Sequence, residues 1–371
     1  MQYREYGRTA IKVSPLGFGC MRLPMENDHV KEEYTIKMLR HAMDLGVNYF
    51  DTAVGYCNQE SQIVLGKAIK GRRDKLYIST KNPHKGDDSK EWRRLLEESL
   101  ERLNIDYIDF YHCHGLSWQQ YVEGFSKGPL AEARKAQEEG LFRYLCFSCH
   151  DYANLPKLIE TGEFAGMTVQ YNLLDRKNEE ALAMAYEKSM GVVIMGPIGG
   201  GRLVAESEQI KNLIPGGSKS SPEVALRFVL SNPNVTIGLS GMNSIEMVDE
   251  NVATASHTEP LSDEERQHVL EMLEENKRLA ELYCTGCDYC MPCENGVDIP
   301  ENFRLMNYHR IYGLTKMAQE RYGRLGERKV DDEPKPSWAE ACIECGECEP
   351  KCPQDIPIRE QLNEVREILG D

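Results

Sequence analysis

Val47-Asn48-Tyr49-Phe50-Asp51, running on into Thr52-Ala53-Val54-Gly55-Tyr56, reads as a short apolar strand that ends on a carboxylate and opens into a loop. The hydrophobic period changes on both sides of it. Lys31 to Leu45 and Ser61 to Ile69 carry apolar residues at helical spacing, and Lys75 to Thr80 returns to a strand. Outward from there the alternation predicts helix Lys90 to Leu103, strand Tyr107 to His112, helix Leu130 to Glu139 and strand Phe142 to Phe147. It continues through helix Asn154 to Glu160, strand Met167 to Gln170, helix Glu179 to Ser189 and strand Val192 to Met195. Helix Pro222 to Ser231, strand Val235 to Ile237 and helix Ile245 to Ala255 complete the series. Toward the N-terminus, the first twenty residues alternate as a short hairpin leading to a first strand, Val13 to Phe18, stopped by Gly17 and Gly19. Eight strand-then-helix units in about 255 residues fit an α/β fold, a (β/α)8 TIM barrel, whose chemistry sits where strands end. A doubly wound open sheet would place Gly-x-Gly-x-x-Gly after its first strand, and that pattern is missing there.

The chain of 371 residues exceeds one average domain. From Leu261 to Tyr283, Ser262-Asp263-Glu264-Glu265 reads as a capped, acid-rich helix start. The expected division is therefore 1–258 for the barrel, 259–283 for a linker helix and 284–371 for a second domain. Asp331 to Ser337, with Pro334 and Pro336, is the other linker-like stretch. The 44 basic and 60 acidic residues leave a formal charge of -16, which favours solubility and argues against nucleic acid as a partner. No apolar run is long enough to cross a bilayer, and Met1 to Arg22 lacks the charged start and apolar core of a signal peptide, so a cytoplasmic protein without membrane contact is expected. Eight of the thirteen cysteines crowd into two runs, which without a secretion signal favours metal ligation over disulfides.

Asp51 closes the second predicted strand, Tyr56 follows in the loop, Lys81 closes the third and His114 lies just past the fourth. Singly each is weak, since an Asp-Thr pair after a strand is most often a cap and a lone histidine is most often structural. A barrel, however, converges strand ends on one mouth, where these four types complement one another. Tyrosine keeps its proton to about pH 10, so as a general acid it needs a cation such as Lys81 beside it. Asp51 would hold that lysine, and His114 would donate a hydrogen bond to a carbonyl oxygen that gains negative charge.

Phe-Asp-Thr-Ala-Val-Gly-Tyr at 50–56, Ser-Thr-Lys at 79–81 and Asp-Phe-Tyr-His-Cys-His-Gly at 109–115 resemble the aldo-keto reductases. The likeness extends through Phe-Ser-Cys-His at 147–150, Val-Gln-Tyr-Asn at 169–172 and Val-Asp-Glu-Asn at 248–251, in order across residues 1–258. It implies an eight-stranded barrel, hydride transfer between a nicotinamide and a small-molecule carbonyl or alcohol, and a tetrad of Asp51, Tyr56, Lys81 and His114. The family's histidine stands five residues after the aspartate of the fourth strand, which from Asp109 is His114, leaving His112 to support it on the same strand face. The resemblance further implies that Ser148 and Gln170 bond the nicotinamide amide with Tyr171 nearby. Gly19, Cys20, Met21 and Met195 are expected along the cofactor. Gly196, Pro197, Gly199 and Gly200 would admit the pyrophosphate, a stretch that also reads as a plain flexible loop. Ser240, Gly241, Met242, Glu250 and Asn251 would hold the adenosine end.

Three departures qualify the likeness. Met195 stands where many relatives stack a tyrosine on the nicotinamide. Cys149 stands where asparagine is common. Ser240 to Asn251 contains no lysine or arginine, Met247 occupies the usual arginine, and a 2′-phosphate would face Glu246, Asp249 and Glu250, so NAD(H) is favoured over NADP(H). Cys57, Cys113, Cys146, Cys149 and His150 invite a metal reading, although neighbours on a strand face opposite ways and buried cysteines as small hydrophobes account for them better. Trp118 can line the substrate pocket.

Cys284, Cys287 and Cys290 precede Cys293, and Cys342, Cys345 and Cys348 precede Cys352-Pro353; each run spaces three cysteines at i, i+3 and i+6. The second run has the bacterial ferredoxin spacing, in which the fourth cysteine serves the other cluster. The first has two residues rather than three before its last cysteine, and Glu294 instead of proline behind it. The crossed rule gives two 4Fe-4S clusters, one on Cys284, Cys287, Cys290 and Cys352, the other on Cys342, Cys345, Cys348 and Cys293. Structural zinc would rather draw two pairs from separate segments. Asp298-Ile299-Pro300 and Asp355-Ile356-Pro357 read as an internal duplication, and Pro300 to Tyr322 as helical, so the second domain is expected to be a helix-rich ferredoxin-like module. The whole resembles the ferredoxin-fused branch of the family.

These readings combine into an oxidoreductase that reduces a carbonyl at the barrel mouth and meets a ferredoxin- or flavodoxin-type carrier at its clusters. Nicotinamide moves two electrons as hydride while a cluster moves one, and a flavin ordinarily mediates. No flavin motif is evident. A flavin or other redox group in the barrel, direct electron delivery from the clusters, and independent domains all stay open. An electron-transfer protein with a non-catalytic barrel is the reading from another class, against which the complete tetrad speaks.

Overall fold

The computed structural model describes residues 1–204, 207–214, 217–256, 261–279, 284, 289–330, 333–352 and 355–370. Eight parallel strands close into a barrel in sequence order. They are Leu16–Gly19, Tyr49–Asp51, Tyr77–Asn82, Ile108–Cys113, Phe142–Ser148, Gly166–Gln170, Gly191–Met195 and Ile237–Ser240, called here the first to eighth. A hairpin of Arg4–Glu5 and Lys12–Val13 precedes them. It carries Tyr6, fully buried, with its ring centroid 4.1 Å from that of Phe110 and 6.2 Å from that of Tyr49. With Val193 and Ile237 these rings fill the barrel interior below the level of Asp51 and Lys81.

On the outer face of the fourth strand, Asp109 is fully buried and takes a hydrogen bond from the Ile78 amide at 2.8 Å. Arg73 stands 2.7 Å and Arg143 3.3 Å from its carboxylate. A buried carboxylate needs such partners, and here they tie the third, fourth and fifth strands together.

Helices Ser61–Ile69 and Ile245–Ala255 have the expected bounds, and Ser244 caps the second by accepting from the Met247 amide at 3.2 Å. The eighth strand does not. It was expected over Val235 to Ile237 and runs Ile237–Ser240. The Val235 amide instead closes a turn onto Asn232 O at 3.0 Å. Gly238 and Ser240 have little strand propensity, yet their backbones pair with neighbouring strands, so register decides what composition does not.

The chain separates into two compact units, Met1–Gly200 with Ala225–Leu261, and Gly201–Val224 with Ser262–Asp371. The second contains helices Asp263–Leu279, Ile299–Tyr312, Thr315–Gly326 and Ile358–Leu369. The continuous helix expected over 300–322 is broken at Gly313, whose left-handed φ of 62° ends the first segment. Asp298 caps that segment by accepting from the Glu301 amide at 3.2 Å, whereas its sequence echo Asp355 precedes a helix that starts only at Ile358. Within this unit the stretch 201–224 is tied down by Ser207, whose buried hydroxyl donates to Tyr312 O at 2.6 Å. In the linker-like stretch, Glu333–Pro334 pairs with Lys329–Val330. Among the described residues no helix is long and apolar enough to cross a membrane.

Candidate active site

The second and third strands are neighbours, and Asp51 pairs in register with Ser79, two residues before Lys81. The Lys81 ammonium donates to Asp51 Oδ1 at 2.5 Å and to Thr52 O at 2.8 Å, and only 2% of Lys81 is exposed. The same ammonium lies 4.8 Å from the centre of the Tyr56 ring. His114 meets Tyr56 edge-on with ring centroids 6.2 Å apart, and the His114 amide donates to Asn82 O at 3.0 Å. The structure thus brings Asp51, Tyr56, Lys81 and His114 to one place.

Burial alone would lower the Lys81 pKa, but Asp51 and then Tyr56 outweigh it and the pKa rises. Tyr56 is pushed up by burial, with Lys81 opposing. The sequence suggested that the lysine would dominate the tyrosine; burial is the larger effect, so Tyr56 is firmly protonated at neutral pH. Burial, followed by the charges of Lys81 and Lys85, takes His114 down to about 4, so its ring is neutral and keeps one N–H to donate.

Beneath them, His112 is fully buried. Ser79 donates to Asp51 Oδ2 at 2.7 Å, because a carboxylate can only accept. Ser79 must then accept from His112 Nδ1 at 3.3 Å, and His112 Nε2 accepts from the Thr168 hydroxyl at 3.1 Å. One direction of donation satisfies this chain across four strands, and it assigns His112 as the neutral Nδ1–H tautomer. Burial and then Lys81 take its pKa down to about 3.

Both histidines therefore stay neutral at a pH where an unfolded chain protonates them, so the unfolded state binds more protons and stability rises with pH. Their contribution is complete above the ordinary histidine value of about 6.5 and is lost as pH falls toward about 3 to 4. Thermal unfolding followed from roughly pH 7 down to roughly pH 5 should decline less steeply in His112→Asn than in the parent protein. Parallel declines would contradict this.

The remaining expected residues are arranged less uniformly. Ser148 Oγ accepts from the Gly115 amide at 2.7 Å, and Gln170 donates to Asp175 at 3.2 Å. Tyr171 faces away from them: it is fully buried, stacked 5.7 Å from Phe228, and its hydroxyl donates to Glu179 at 3.0 Å. Strand alternation requires this opposite face. Met195 ends the seventh strand, half-buried, and Asn172 donates to Gly196 O at 3.0 Å. Pro197 and Gly199 are buried in the turn that follows, and Gly200 ends the first stretch of the barrel unit. Asn251 donates to Ser240 Oγ at 3.1 Å, Glu250 is exposed, and the Met242 side chain is fully buried. Gly19 backs onto Ser240, Cys20 is buried and Met21 is exposed.

Asp249 pairs with His41 at 2.6 Å, and the Arg22 side chain packs beside Gly241, so one acid is engaged and one cation approaches where the sequence displayed only acids. Cys57, Cys113, Cys146 and Cys149 are buried, and among the described residues no group of three histidine, cysteine or acidic side chains is placed to hold a single metal ion. Trp118 stacks on Tyr121 at 5.5 Å with Lys157 5.8 Å from its ring. The Ser79–His112–Thr168 chain was missed, although Ser79 stands two residues before Lys81 and Thr168 two before Gln170, on the same strand faces.

In the second unit one cavity is lined by Cys290, Cys293, Cys342, Cys345 and Cys348, with Val297, Ile299 and Leu362 as apolar wall. Cys293 of the first run thus lines it together with three cysteines of the second. The Glu344 amide donates to Cys342 Sγ at 3.4 Å, and positive φ at Glu344 and Gly346 curls the backbone between the thiols. Cys284 and Cys352 are partly buried, and the described cysteines form no disulfide. Cys287 lies outside the described residues. Thiols from both runs, an apolar wall and an amide aimed at sulfur fit a cluster whose four irons spread their ligands apart.

Comparison with known proteins matches the chain in two successive parts. A model of the aldo/keto reductase family matches residues 15–274, and one of a 4Fe-4S dicluster domain matches residues 283–356. The uncharacterized oxidoreductase YqkF of Bacillus subtilis is 27% identical over 69% of this chain and 92% of its own. The NADH-specific methylglyoxal reductase of Escherichia coli is 26% identical over 73% of this chain and 98% of its own. The holo form of an aldo-keto reductase from Bacillus halodurans superposes with a TM-score of 0.63 at 30% identity, over 73% of this chain and 96% of that one.

Proposed function

The chain belongs to the aldo/keto reductase family and carries a C-terminal 4Fe-4S dicluster domain, and from that premise we propose that it reduces a small-molecule carbonyl, or oxidises the alcohol, at the barrel mouth and exchanges single electrons through two clusters with a ferredoxin- or flavodoxin-type carrier. The observation that carries the catalytic half is the buried ammonium of Lys81, held by Asp51 and Thr52 O beside the Tyr56 ring. We read residues 1–258 as catalytic, 259–283 as linker and 284–371 as the cluster domain.

A bound dihydronicotinamide would supply the hydride to the carbonyl carbon. The chain's own part begins with His114, whose neutral ring donates a hydrogen bond to the carbonyl oxygen and polarises it. Tyr56, which holds its proton at neutral pH, gives it to that oxygen as the C=O π pair becomes a lone pair. Lys81 then stabilises the phenolate until it takes a proton from solvent, and Asp51 keeps the ammonium charged and in place. Ser148, Gln170, Gly19, Cys20 and the Met195–Gly200 stretch are the residues we assign to the nicotinamide and pyrophosphate, and Ser240, Gly241, Glu250 and Asn251 to the adenosine. NADH is the favoured coenzyme, since a 2′-phosphate would meet Glu246 in the first turn of helix Ile245–Ala255 and Glu250 one turn further on. The NADH-specific relative supports that reading. For the cluster half, Cys293 would serve with Cys342, Cys345 and Cys348, and Cys352 with Cys284, Cys287 and Cys290. The clusters would supply one-electron steps.

The test is coenzyme oxidation with a neutral dicarbonyl by anaerobically purified protein. NADH should exceed NADPH by about tenfold or more in kcat/KM, a difference of about 1.4 kcal/mol. Faster turnover with NADPH would refute the coenzyme assignment and point to Arg22 as the phosphate's partner. Absence of turnover with either would refute the reductase reading.

A further inference from the structure

We infer that Lys85 is a substrate-reading cation at the barrel mouth and that the compound it selects carries a carboxylate next to its reducible carbonyl, a 2-oxo acid. The inference rests on the carbonyl-reductase reading and adds the substrate class that it leaves open.

Lys85 lies four residues past Lys81, in the loop between the third strand and helix Ser89–Leu103. That loop is held in place. The His84 amide donates to Asn82 Oδ1 at 2.9 Å, and Asn82 donates in turn to Trp92 O at 2.9 Å. The Lys85 carbonyl packs so closely on Gly124 that a Cβ there would stand 2.4 Å from it. From this anchored backbone the side chain reaches the loop after the fourth strand, where its ammonium lies 3.5 Å from the position a Cβ on Gly115 would take. Gly115 is the residue after His114, and the Lys85 charge is felt at the His114 ring.

Among the described residues the lysine also has no counter-ion. In a chain with 60 acidic residues, Lys31 and Lys67 have glutamates within 3 Å, but among the described residues no hydrogen bond or ion pair joins Lys85 to any acid. Of the acids nearby, Asp88 caps its helix through the Lys90 and Glu91 amides, Asp151 accepts from Asn154, and Asp87 is exposed with no ion pair to Lys85 among the described residues. Lys85 is exposed at the mouth, with its pKa lowered by the partial burial of its stem, and the thiols of Cys113 and Cys149 lie within range of its charge. A cation reaching the mouth without a partner is open to an anionic group on the substrate.

The substrate oxygen must sit between Tyr56 and His114, so an anion bonded to the carbonyl carbon on the His114 side meets Lys85. The reaction balances as a two-electron reduction. Hydride from a bound dihydronicotinamide adds to C2, the proton of Tyr56 goes to the oxygen, and a 2-hydroxy acid leaves with its carboxylate unchanged.

Pyruvate and methyl pyruvate differ only in that charge. The kcat/KM ratio of acid to ester should favour the acid in the parent protein, fall about ten- to a hundredfold in Lys85→Met, and be largely restored in Lys85→Arg. Oxamate, an unreactive carboxylate of the same shape, titrated calorimetrically into the protein, should lose affinity in Lys85→Met by a similar factor. An unchanged ratio and unchanged oxamate affinity in Lys85→Met would overturn the inference, as would failure of the parent protein to bind oxamate even if methyl pyruvate is reduced. Lys85-dependent oxamate binding with no turnover of either ketone would uphold the anion site and refute the reductase reading instead.

Discussion

Tyr56→Phe should lower kcat for carbonyl reduction by about 10²- to 10⁴-fold, the usual contribution of a positioned general acid. The size follows from how little else the substitution changes. Phenylalanine keeps the ring that lies 4.8 Å from the Lys81 ammonium and edge-on to His114, so packing at the mouth is retained and only the hydroxyl is lost. His114 is a poor substitute donor of a proton: its pKa of about 4 leaves it neutral, able to polarise an oxygen with its N–H but without the second proton it would have to give up. Lys81 is no better, because Asp51 and Tyr56 hold its pKa up against burial. The pH profile supplies an independent readout. Only protonated Tyr56 can donate, and its pKa is raised, so reductive kcat should hold across neutrality and fall at alkaline pH as the hydroxyl titrates. That alkaline limb should vanish in the variant. Steady-state rates within about twofold of the parent, with the limb intact, would remove Tyr56 from the chemistry.

The parts of this site that sequence disclosed share one property: each is a chemical type at the end of a strand. Asp51, Lys81 and His114 could be placed at one mouth because a barrel gathers strand ends, and counting from Asp109 separated His114 from His112. The role of His112 could not be obtained that way. Its partners Ser79 and Thr168 come from the third and sixth strands, and which residue faces which across a closed barrel depends on register, for example Lys81 opposite His112. A single sequence does not display that register. Tyr171 marks the opposite case, where period-two alternation from Gln170 already turned it toward the helices while the family pattern set it near the nicotinamide. The eighth strand was misplaced because Gly238 and Ser240 depend on pairing rather than propensity. Arg22 and Lys85 sit on loops, and loop side chains reach the mouth through backbone paths that hydrophobic periodicity does not encode. In the cysteine domain spacing was the whole signal, and the helix break at Gly313 was missed, although glycine is the residue suited to a left-handed cap.

Cys293→Ser should lower bound iron from about eight atoms per chain to about four, the loss expected when one of two cubane clusters goes. Sequence order alone makes this the less obvious result, since Cys293 directly follows Cys290 and a self-contained first run would place it on the first cluster. Its surroundings admit the crossed assignment: it lines the same cavity as Cys342, Cys345 and Cys348. Cys290 lines that cavity too, so proximity does not by itself decide between the two runs, and pairs of substitutions are needed. If the ligands cross, Cys293→Ser combined with Cys345→Ser strikes one cluster twice and should leave about four irons, whereas Cys293→Ser combined with Cys290→Ser strikes both and should leave almost none. If each run serves its own cluster, the two outcomes exchange. Iron and acid-labile sulfide counted on anaerobically purified protein separate the cases. Cys352→Ser gives the reciprocal check, since the crossed pattern assigns it to the cluster of Cys284, Cys287 and Cys290. Removing the last twenty residues goes further. It takes Cys352 and also helix Ile358–Leu369, whose Leu362 forms part of the cavity wall and whose Val365 is fully buried, so both clusters should be lost. An iron content near four in that truncation would mean that the second cluster stands without the helix against it, and the wall formed by Leu362 would then be dispensable for holding the metal.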